Sequence, residues 1–350
     1  VNVFTLTLAH QAAVHKLDAA LGSAPYADRH VVLDTSPGDS GVRQAVARSP
    51  VRNKIFVSDW PWRQDFAAAR NALLDAAAGL AAGTPTCGIM LDTDERLVCP
   101  DVERLQAELQ SRGDAIGLAF NRQHGYAKER ACNLATKARY VGRIHETATI
   151  GFPCYHMTSM RFEEDDKTPK EYQAKAAREE VLLLEETAEH PLVSRWWYYL
   201  GEAHEGLKKS ALAFSAYKRC IDLRGWDEEG AWASFRAAKL LLLTSDPALL
   251  AECVEICARG LARHSGFPEL CCVAGVACMQ LGQHDKARNW AHMAIALGDH
   301  NGCRASRNRT MFKDLPSLYE MPYEILKVVG DGEERALSVN LAALASRHGL

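Results

Sequence analysis

The feature that most constrains this chain is a change of grammar near its middle. Short apolar runs separated by helical stretches give way to unbroken helical periodicity. In the first half, VFTLTL (Val3–Leu8), HVVLD (His30–Asp34), KIFVSD (Lys54–Asp59) and GIMLD (Gly88–Asp92) are runs too short for helices. Apolar along their length, they suit strands of a mostly parallel sheet covered on both faces. Parallel neighbours need a connection of about a dozen residues or more. The stretch DFAAARNALLDAAAGLAAG (Asp65–Gly83) supplies one as a helix, and a second helix is expected from about Asp101 to Gln110. After Gly113 the runs AIGLAFN, ACNLATKA and RYVGRIHETATI follow one another without a helix between them, which predicts a mixed sheet whose later strands are antiparallel. The fold class is therefore α/β followed by all-α.

The helical half, from about Val181 to Gly298, repeats. Trp197-x-x-Leu200-Gly201-x-x-His204, with Ala213-x-x-x-Tyr217 and Cys220 behind it, fits the tetratricopeptide pattern of two antiparallel helices. The offsets return at Ala274-Gly275-x-x-Cys278, Gly282, Ala287, Ala291 and Ala294, with a less regular copy from Trp232 to Arg259 between them. Each pair leaves one apolar face open, so about three must stack. Between the halves, Arg161–Glu180 carries twelve charged side chains in twenty positions, which reads as a solvated linker or a flap. The expected organisation is a catalytic-type domain over 1–158, a charged linker over 159–180, repeats over 181–300 and a partly helical C-terminal segment over 301–350.

Composition excludes several classes. Over 350 residues, 41 Lys+Arg against 44 Asp+Glu leave a net charge of −3, which argues against a chain built to wrap nucleic acid. No apolar run reaches the roughly 18–20 residues of a membrane span. The opening VNVFTLTLAH lacks a basic region before a long apolar one, so no signal peptide is expected. The 11 cysteines are odd in number, lack zinc-site spacing and sit at helical core offsets such as Cys253, Cys257, Cys271, Cys272 and Cys278. A cytoplasmic, reducing environment with thiols used for packing is the expectation.

Chemistry is densest at Gly88-Ile-Met-Leu-Asp92-Thr-Asp94-Glu95, where an apolar strand runs straight into acids. Ligands of open α/β sheets bind outside the carboxyl ends of strands. An Asp-x-Asp there can offer both carboxylates to one Mg²⁺ or Mn²⁺, ions that favour oxygen donors and share them with substrate phosphates. Upstream lie Asp34-Thr-Ser-Pro-Gly-Asp39 after the second run, then Trp60, then Asp65-Phe66-x-x-x-Arg70-Asn71. Downstream, Arg122–Arg143 holds Arg122, Lys128, Arg130, Lys137, Arg139 and Arg143 against the single acid Glu129. That stretch reads as a solvated strand edge whose charges discourage aggregation, ahead of a surface for phosphates.

The ordered set of strand–Asp34, Asp65-Phe66-x-x-x-Arg70-Asn71, Leu91-Asp92-x-Asp94-Glu95, Gly142-Arg143-Ile144-His145-Glu146 and Tyr155-His156 resembles the family 2 glycosyltransferases with a GT-A fold. Within them it is similar to those whose catalytic domain precedes tetratricopeptide repeats, a group that includes the peptide S-glycosyltransferases of glycosylated bacteriocins. The resemblance spans about Val3–Gly298. It implies a metal-dependent inverting transferase using a nucleotide-diphosphate sugar, with a UDP-sugar as donor and Mn²⁺ or Mg²⁺ as the cation. By the same resemblance Asp94, Asp92 and His156 would hold the metal, and Asp34, Arg70, Asp92 and Thr7 the donor. Asp34 is equally a turn-capping residue, and Arg70 equally the partner of a strand-end carboxylate. Inversion needs a base on the acceptor hydroxyl or thiol. Glu146 is the first candidate, with His145 and Glu95 behind it, and an ion pair with Arg143 or Arg139 would explain Glu146 as well. The repeats would recruit an acceptor peptide, glycan or other macromolecule, or form a homodimer. The alternative function is a tetratricopeptide-type protein-binding adaptor whose first domain is catalytically idle.

Overall fold

The computed structural model describes the chain except residues 37–40, 122–125, 149–150, 299–311, 313, 315, 318–319 and 337–350. Asp39, Arg122 and most of the 301–350 segment therefore lie outside the described residues. Two compact units divide between Thr168 and Pro169.

The first unit is a mixed sheet. Its strands are β1 (Asn2–Ala9), β2 (Arg29–Asp34), β3 (Ile55–Asp59), β4 (Thr86–Met90), β5 (Glu95–Val98), β6 (Ile116–Asn121), β7 (Tyr126–Asn133) and β8 (Cys154–Glu164), in the order β3-β2-β1-β4-β7-β6-β8-β5. The first four in space are parallel, β7 is antiparallel to both β4 and β6, and β5 is antiparallel to β8. Alternation along β1 explains the layering. Phe4 and Leu6 pack with Leu73, Leu74 and Ala77 of α3 (Phe66–Ala81) on one face. On the other face Val3 joins the cluster containing Leu105 and Leu109 of α4 (Val102–Ser111). Ala9, on the same face as Val3, meets Leu17 and Leu21 of α1 (Val14–Gly22) and Val42 of α2 (Gly41–Arg48).

Three sequence expectations change here. The described residues of RYVGRIHETATI form no strand: among them only an isolated bridge joins Val141 to Thr147, and His145 and Gly142 take positive φ values of 49° and 100°. Lys128 and Arg130 of the basic stretch are not on an edge, because β7 lies between β4 and β6. Nor is 159–180 a linker along its whole length. Its first part completes β8, only 165–168 are a connection, and the rest lies in α5 (Pro169–Glu189). Its charges find partners: Asp165 meets Lys16 at 3.1 Å, Lys167 meets Asp94 at 2.9 Å, and Glu180 accepts from Lys209 at 2.6 Å. Charge density there marks ion pairing, both in the connection and in α5.

The second unit stacks helices in antiparallel pairs after α5: α6 (Ser194–Gly206) with α7 (Ser210–Leu223), α8 (Asp227–Leu242) with α9 (Pro247–Arg263), and α10 (Pro268–Gln280) with α11 (His284–Leu297). A further helix, α12 (Met321–Val329), packs on α11 and α10. These are the three expected repeats. Small residues set the approach within a pair: a Cβ on Gly201 of α6 would lie 2.5 Å from the buried ring of Tyr217 on α7. Gly201→Ala is therefore expected to cost about 1–3 kcal/mol of overpacking. It should lower the thermal midpoint of the helical signal by circular dichroism, and an unchanged midpoint would contradict this approach. Cys220, Cys253, Cys257, Cys271, Cys272 and Cys278 are buried free thiols. Among the described residues no helix is long and apolar enough to cross a membrane.

Candidate functional site

The strand order places a switch point between β1 and β4. From β1 the chain winds outward through β2 and β3, then returns on the other side of β1 as β4. A switch point of this kind is where open α/β sheets bind ligands. Asp92-Thr-Asp94 occupies that place.

The turn is tied within itself. Glu95 N–H donates to Asp92 O at 3.1 Å, and the Glu95 carboxylate returns to accept from Asp92 N–H at 2.9 Å through Oε2. A connection this short holds the first residue of β5 close to the end of β4 although the two strands lie far apart in sheet order. The sheet must curl to allow it. Inside the curl, alternation on β7 aims Lys128 and Arg130 at the turn. Arg130 binds Oε1 of Glu95 in a pair whose side chains are 2% and 1% exposed. Its guanidinium lies over the Phe162 ring, 4.4 Å from the centroid. Lys128 Nζ reaches Glu95 at 3.3 Å, Glu164 at 3.4 Å and Asp92 at 3.9 Å. Glu164, from β8, also accepts from the Tyr126 hydroxyl.

Helix α3 closes the other side. Asp65 caps it, accepting from Ala68 N–H at 2.8 Å. Arg70, one turn inward and 8% exposed, donates to both Asp92 oxygens, at 3.0 and 3.2 Å, and through Nε to Glu146. Its guanidinium also lies 5.6 Å from the centroid of the Tyr140 ring. Asn71 clips the same loop, exchanging hydrogen bonds with the Tyr140 backbone at 2.9 and 3.0 Å. The motif Asp65…Arg70-Asn71 thus caps the helix, bridges two carboxylates and anchors the 138–148 loop.

Burial pushes the Asp92 carboxyl up, but Arg70, Lys128 and Arg130 outweigh it and hold the group well below the usual carboxylate range. Burial wins at Glu95 and raises its carboxyl despite Arg130 and Lys128.

The remaining expected residues divide. Asp34 ends β2 at the same rim, 3% exposed, with Oδ1 accepting from Ser36 N–H at 3.0 Å as a turn-forming Asp does. Trp60 follows β3 and donates its backbone N–H to Asp34 O at 2.8 Å. Asp94 is 31% exposed at its side chain and paired with Lys167. Glu146 pairs with Arg70, and Arg139 with Asp75 at 2.7 Å, so neither arginine named from sequence is the partner the distances identify. Both Glu95 oxygens already accept hydrogen bonds, and the side chain is sealed from solvent. Such a carboxylate organises the turn and does not meet an acceptor. Thr7 is also fully buried. His156 is the clear correction. It pairs with Leu118 near the start of β8, whereas Glu164 at the other end pairs with Glu95. Several strand positions along the sheet, at ~3.3 Å each, keep it from the Asp92 turn. Among the described residues no three His, Cys, Asp or Glu side chains are arranged to hold a metal ion.

Sequence reasoning missed Lys128, Arg130 and Glu164 as site residues. The usable signal was the period of two: Lys128 and Arg130 alternate with Ala127, Glu129 and Ala131, which puts both cations on one face of the strand.

No protein-family model matches the sequence, and no curated protein matches it. Solved structures match at low similarity. MamA from Desulfovibrio magneticus RS-1 is 16% identical with a TM-score of 0.37, covering 51% of this chain and 96% of its own. A putative kinesin light chain of Podosopora anserina with nearly identical TPR-like repeats is 12% identical with a TM-score of 0.38, covering 51% and 89%. A thermophilic TPR protein of Thermus thermophilus is 16% identical with a TM-score of 0.30, covering 50% and 98%. The repeats of this chain rest on its own three stacked pairs.

Proposed function

We propose that the chain is an inverting glycosyltransferase of GT-A type, moving a sugar from a nucleotide-diphosphate donor, a UDP-sugar by resemblance, to a hydroxyl or thiol acceptor. The single observation that supports this most is the Asp92–Glu95 turn beyond the end of β4 at the β1/β4 switch point, with Lys128 Nζ 3.9 Å from Asp92 and Asp34 ending β2. Donor base and ribose would lie toward Asp34 and Trp60, and the diphosphate toward the turn.

The donor set fits a cation shared with substrate phosphates and does not fit an all-protein cage. Asp94, 31% exposed at its side chain, is held by Lys167, a cation that a bound metal would displace, whereas the less exposed Asp92 is engaged by Arg70. Mg²⁺ or Mn²⁺ would therefore rest on Asp94, and when bound it supplies Lewis-acid neutralisation of the departing diphosphate. Asp92 keeps Arg70 in place, and Arg70 orients Glu146. In the transfer, the acceptor oxygen or sulfur forms its bond to the anomeric carbon from the face opposite the diphosphate. The carbon–oxygen bond to the diphosphate breaks with its electron pair going to the phosphate, and Glu146 takes the acceptor proton.

A second reading keeps support from the same cluster. Asp92 and Glu95 have folding partners in Arg70, Lys128 and Arg130 without any ligand, so a catalytically idle domain could retain them in a repeat-based adaptor. Thermal unfolding separates the two. UDP with Mn²⁺ at about 100 times its Kd should stabilise the wild type by about 2.7 kcal/mol and the Asp94→Ala variant far less. If UDP, GDP and dTDP all leave the wild-type melt unchanged, the adaptor reading stands.

A further inference from the structure

The cations around the Asp92–Glu95 turn differ in how firmly they are held. Arg130 is sealed against Glu95, and Arg70 grips both Asp92 oxygens and Glu146. Lys128, though 37% exposed at its side chain, is shared by Glu95, Glu164 and Asp92. Lys167 is held differently. Its Nζ meets one oxygen of Asp94 at 2.9 Å, and the two side chains are 26% and 31% exposed. The stretch that carries it is fastened to the turn by other groups. Asp165 N–H donates to Asp94 O at 2.8 Å. The Asp165 carboxylate pairs with Lys16 of α1 at 3.1 Å and with Arg96 of β5 at 3.6 Å. The backbone near Lys167 therefore stays beside the turn without the Lys167–Asp94 pair.

A half-exposed pair between two flexible side chains is weak, and a divalent cation competes for the same carboxylate oxygens. Once a metal rests on Asp94, it and the ammonium repel each other across that carboxylate. The fastenings through Asp165 nevertheless keep the lysine stem close by. A metal-bound diphosphate still carries net negative charge, and a lysine ammonium suits it as a point charge on a flexible stem. Arg70 and Arg130 cannot answer that charge without abandoning poorly solvated carboxylates. We propose that Lys167 is an exchangeable cation of the site: it sits on Asp94 when no metal is bound, yields that carboxylate to Mg²⁺ or Mn²⁺, and then pairs with the diphosphate of the donor. Lys167 takes this role only within the transferase reading, on which the diphosphate depends.

Opposite changes in one variant test this. Mn²⁺ binding to the full chain, read from the electron paramagnetic resonance of free Mn²⁺, should be about threefold to fivefold tighter in Lys167→Met, because the competing ammonium is gone. UDP binding at saturating Mn²⁺, read by calorimetry, should be weaker in the same variant by about tenfold or more. UMP, which lacks the second phosphate, should separate the two chains by about threefold at most. A side chain that merely braces the turn would lower both affinities together. Where the wild type binds UDP with Mn²⁺, no gain for Mn²⁺, no loss for UDP, or loss of both overturns the exchange and leaves the transferase reading in place. A wild type that binds neither Mn²⁺ nor UDP overturns both. If Lys167→Met fails to fold, the wild type supplies the second readout. Acetylation of Lys167 by an activated ester, followed by peptide mass spectrometry, should rise about twofold or more on adding Mn²⁺ and fall again when UDP follows. Labelling indifferent to Mn²⁺ overturns the displacement from Asp94, and labelling indifferent to UDP overturns the pairing with diphosphate.

Discussion

Arg70→Met is expected to lower the stability of the sheet unit by about 3–5 kcal/mol, because it leaves two poorly solvated carboxylates facing each other with no guanidinium between them. Arg70 is 9% exposed at its side chain, and its partners Asp92 and Glu146 are 22% and 11% exposed. Arg70→Lys should recover little: a point charge cannot bind Asp92 through two oxygens, reach Glu146 through a third bond and lie over Tyr140 at once. Asp92→Asn should be milder, since Arg70 keeps Glu146. The chain has two units, so a single unfolding midpoint would blend them. Hydrogen exchange read on peptides from α3 and β4 isolates the effect. Faster exchange confined to the sheet unit is the expected result, and wild-type protection in Arg70→Met would remove Arg70 from the centre of the site. Any nucleotide-dependent stabilisation should be lost in the same variant.

The elements that could be read from sequence are those whose residues face one environment. β1, β2 and β4 read as apolar runs because they are buried on both faces of the sheet, and α3 declares itself by an Asp65 cap and sixteen helical positions rich in Ala and Leu. The repeats were legible because Gly201 and its counterparts stand where a side chain would collide with the partner helix. β8 was illegible because it places charge inside. Its Phe162 and Glu164 lie beneath Lys128, so the strand ends in a charged run that looks like a solvated connector. The site was legible in part for the same reason. Asp92 and Arg70 stood out from local motifs, but the cations facing them come from β7, and only the curl of the sheet brings β7, β8 and β5 together. No local window encodes that curl. His156 misled because strand position, and not residue type, decides whether a ligand can reach the turn.

The buried pair at the base of the curl should behave as a unit. Arg130→Met leaves Glu95, whose side chain is 1% exposed, with only the more exposed Lys128 as a cationic partner. About 3–5 kcal/mol should be lost. Glu95→Gln is expected to cost about 1–3 kcal/mol, because it keeps an acceptor for Asp92 N–H but strands the Arg130 charge. Glu95→Gln/Arg130→Met removes both charges, so its loss should fall short of the sum by about 1–3 kcal/mol, the signature of groups in direct contact. Hydrogen exchange on β5 and β7 peptides of the three variants closes the cycle. Additive losses would mean that each side chain is held by something other than its neighbour. In that case the turn would not depend on Arg130, and Asp92 and Asp94 would owe their placement to the β4 strand end alone. Coupling, by contrast, makes the cation beneath the turn a condition for presenting Asp94 to a ligand. Weakened nucleotide-dependent stabilisation should then accompany Arg130→Met even though Arg130, at 3% exposure, touches no ligand.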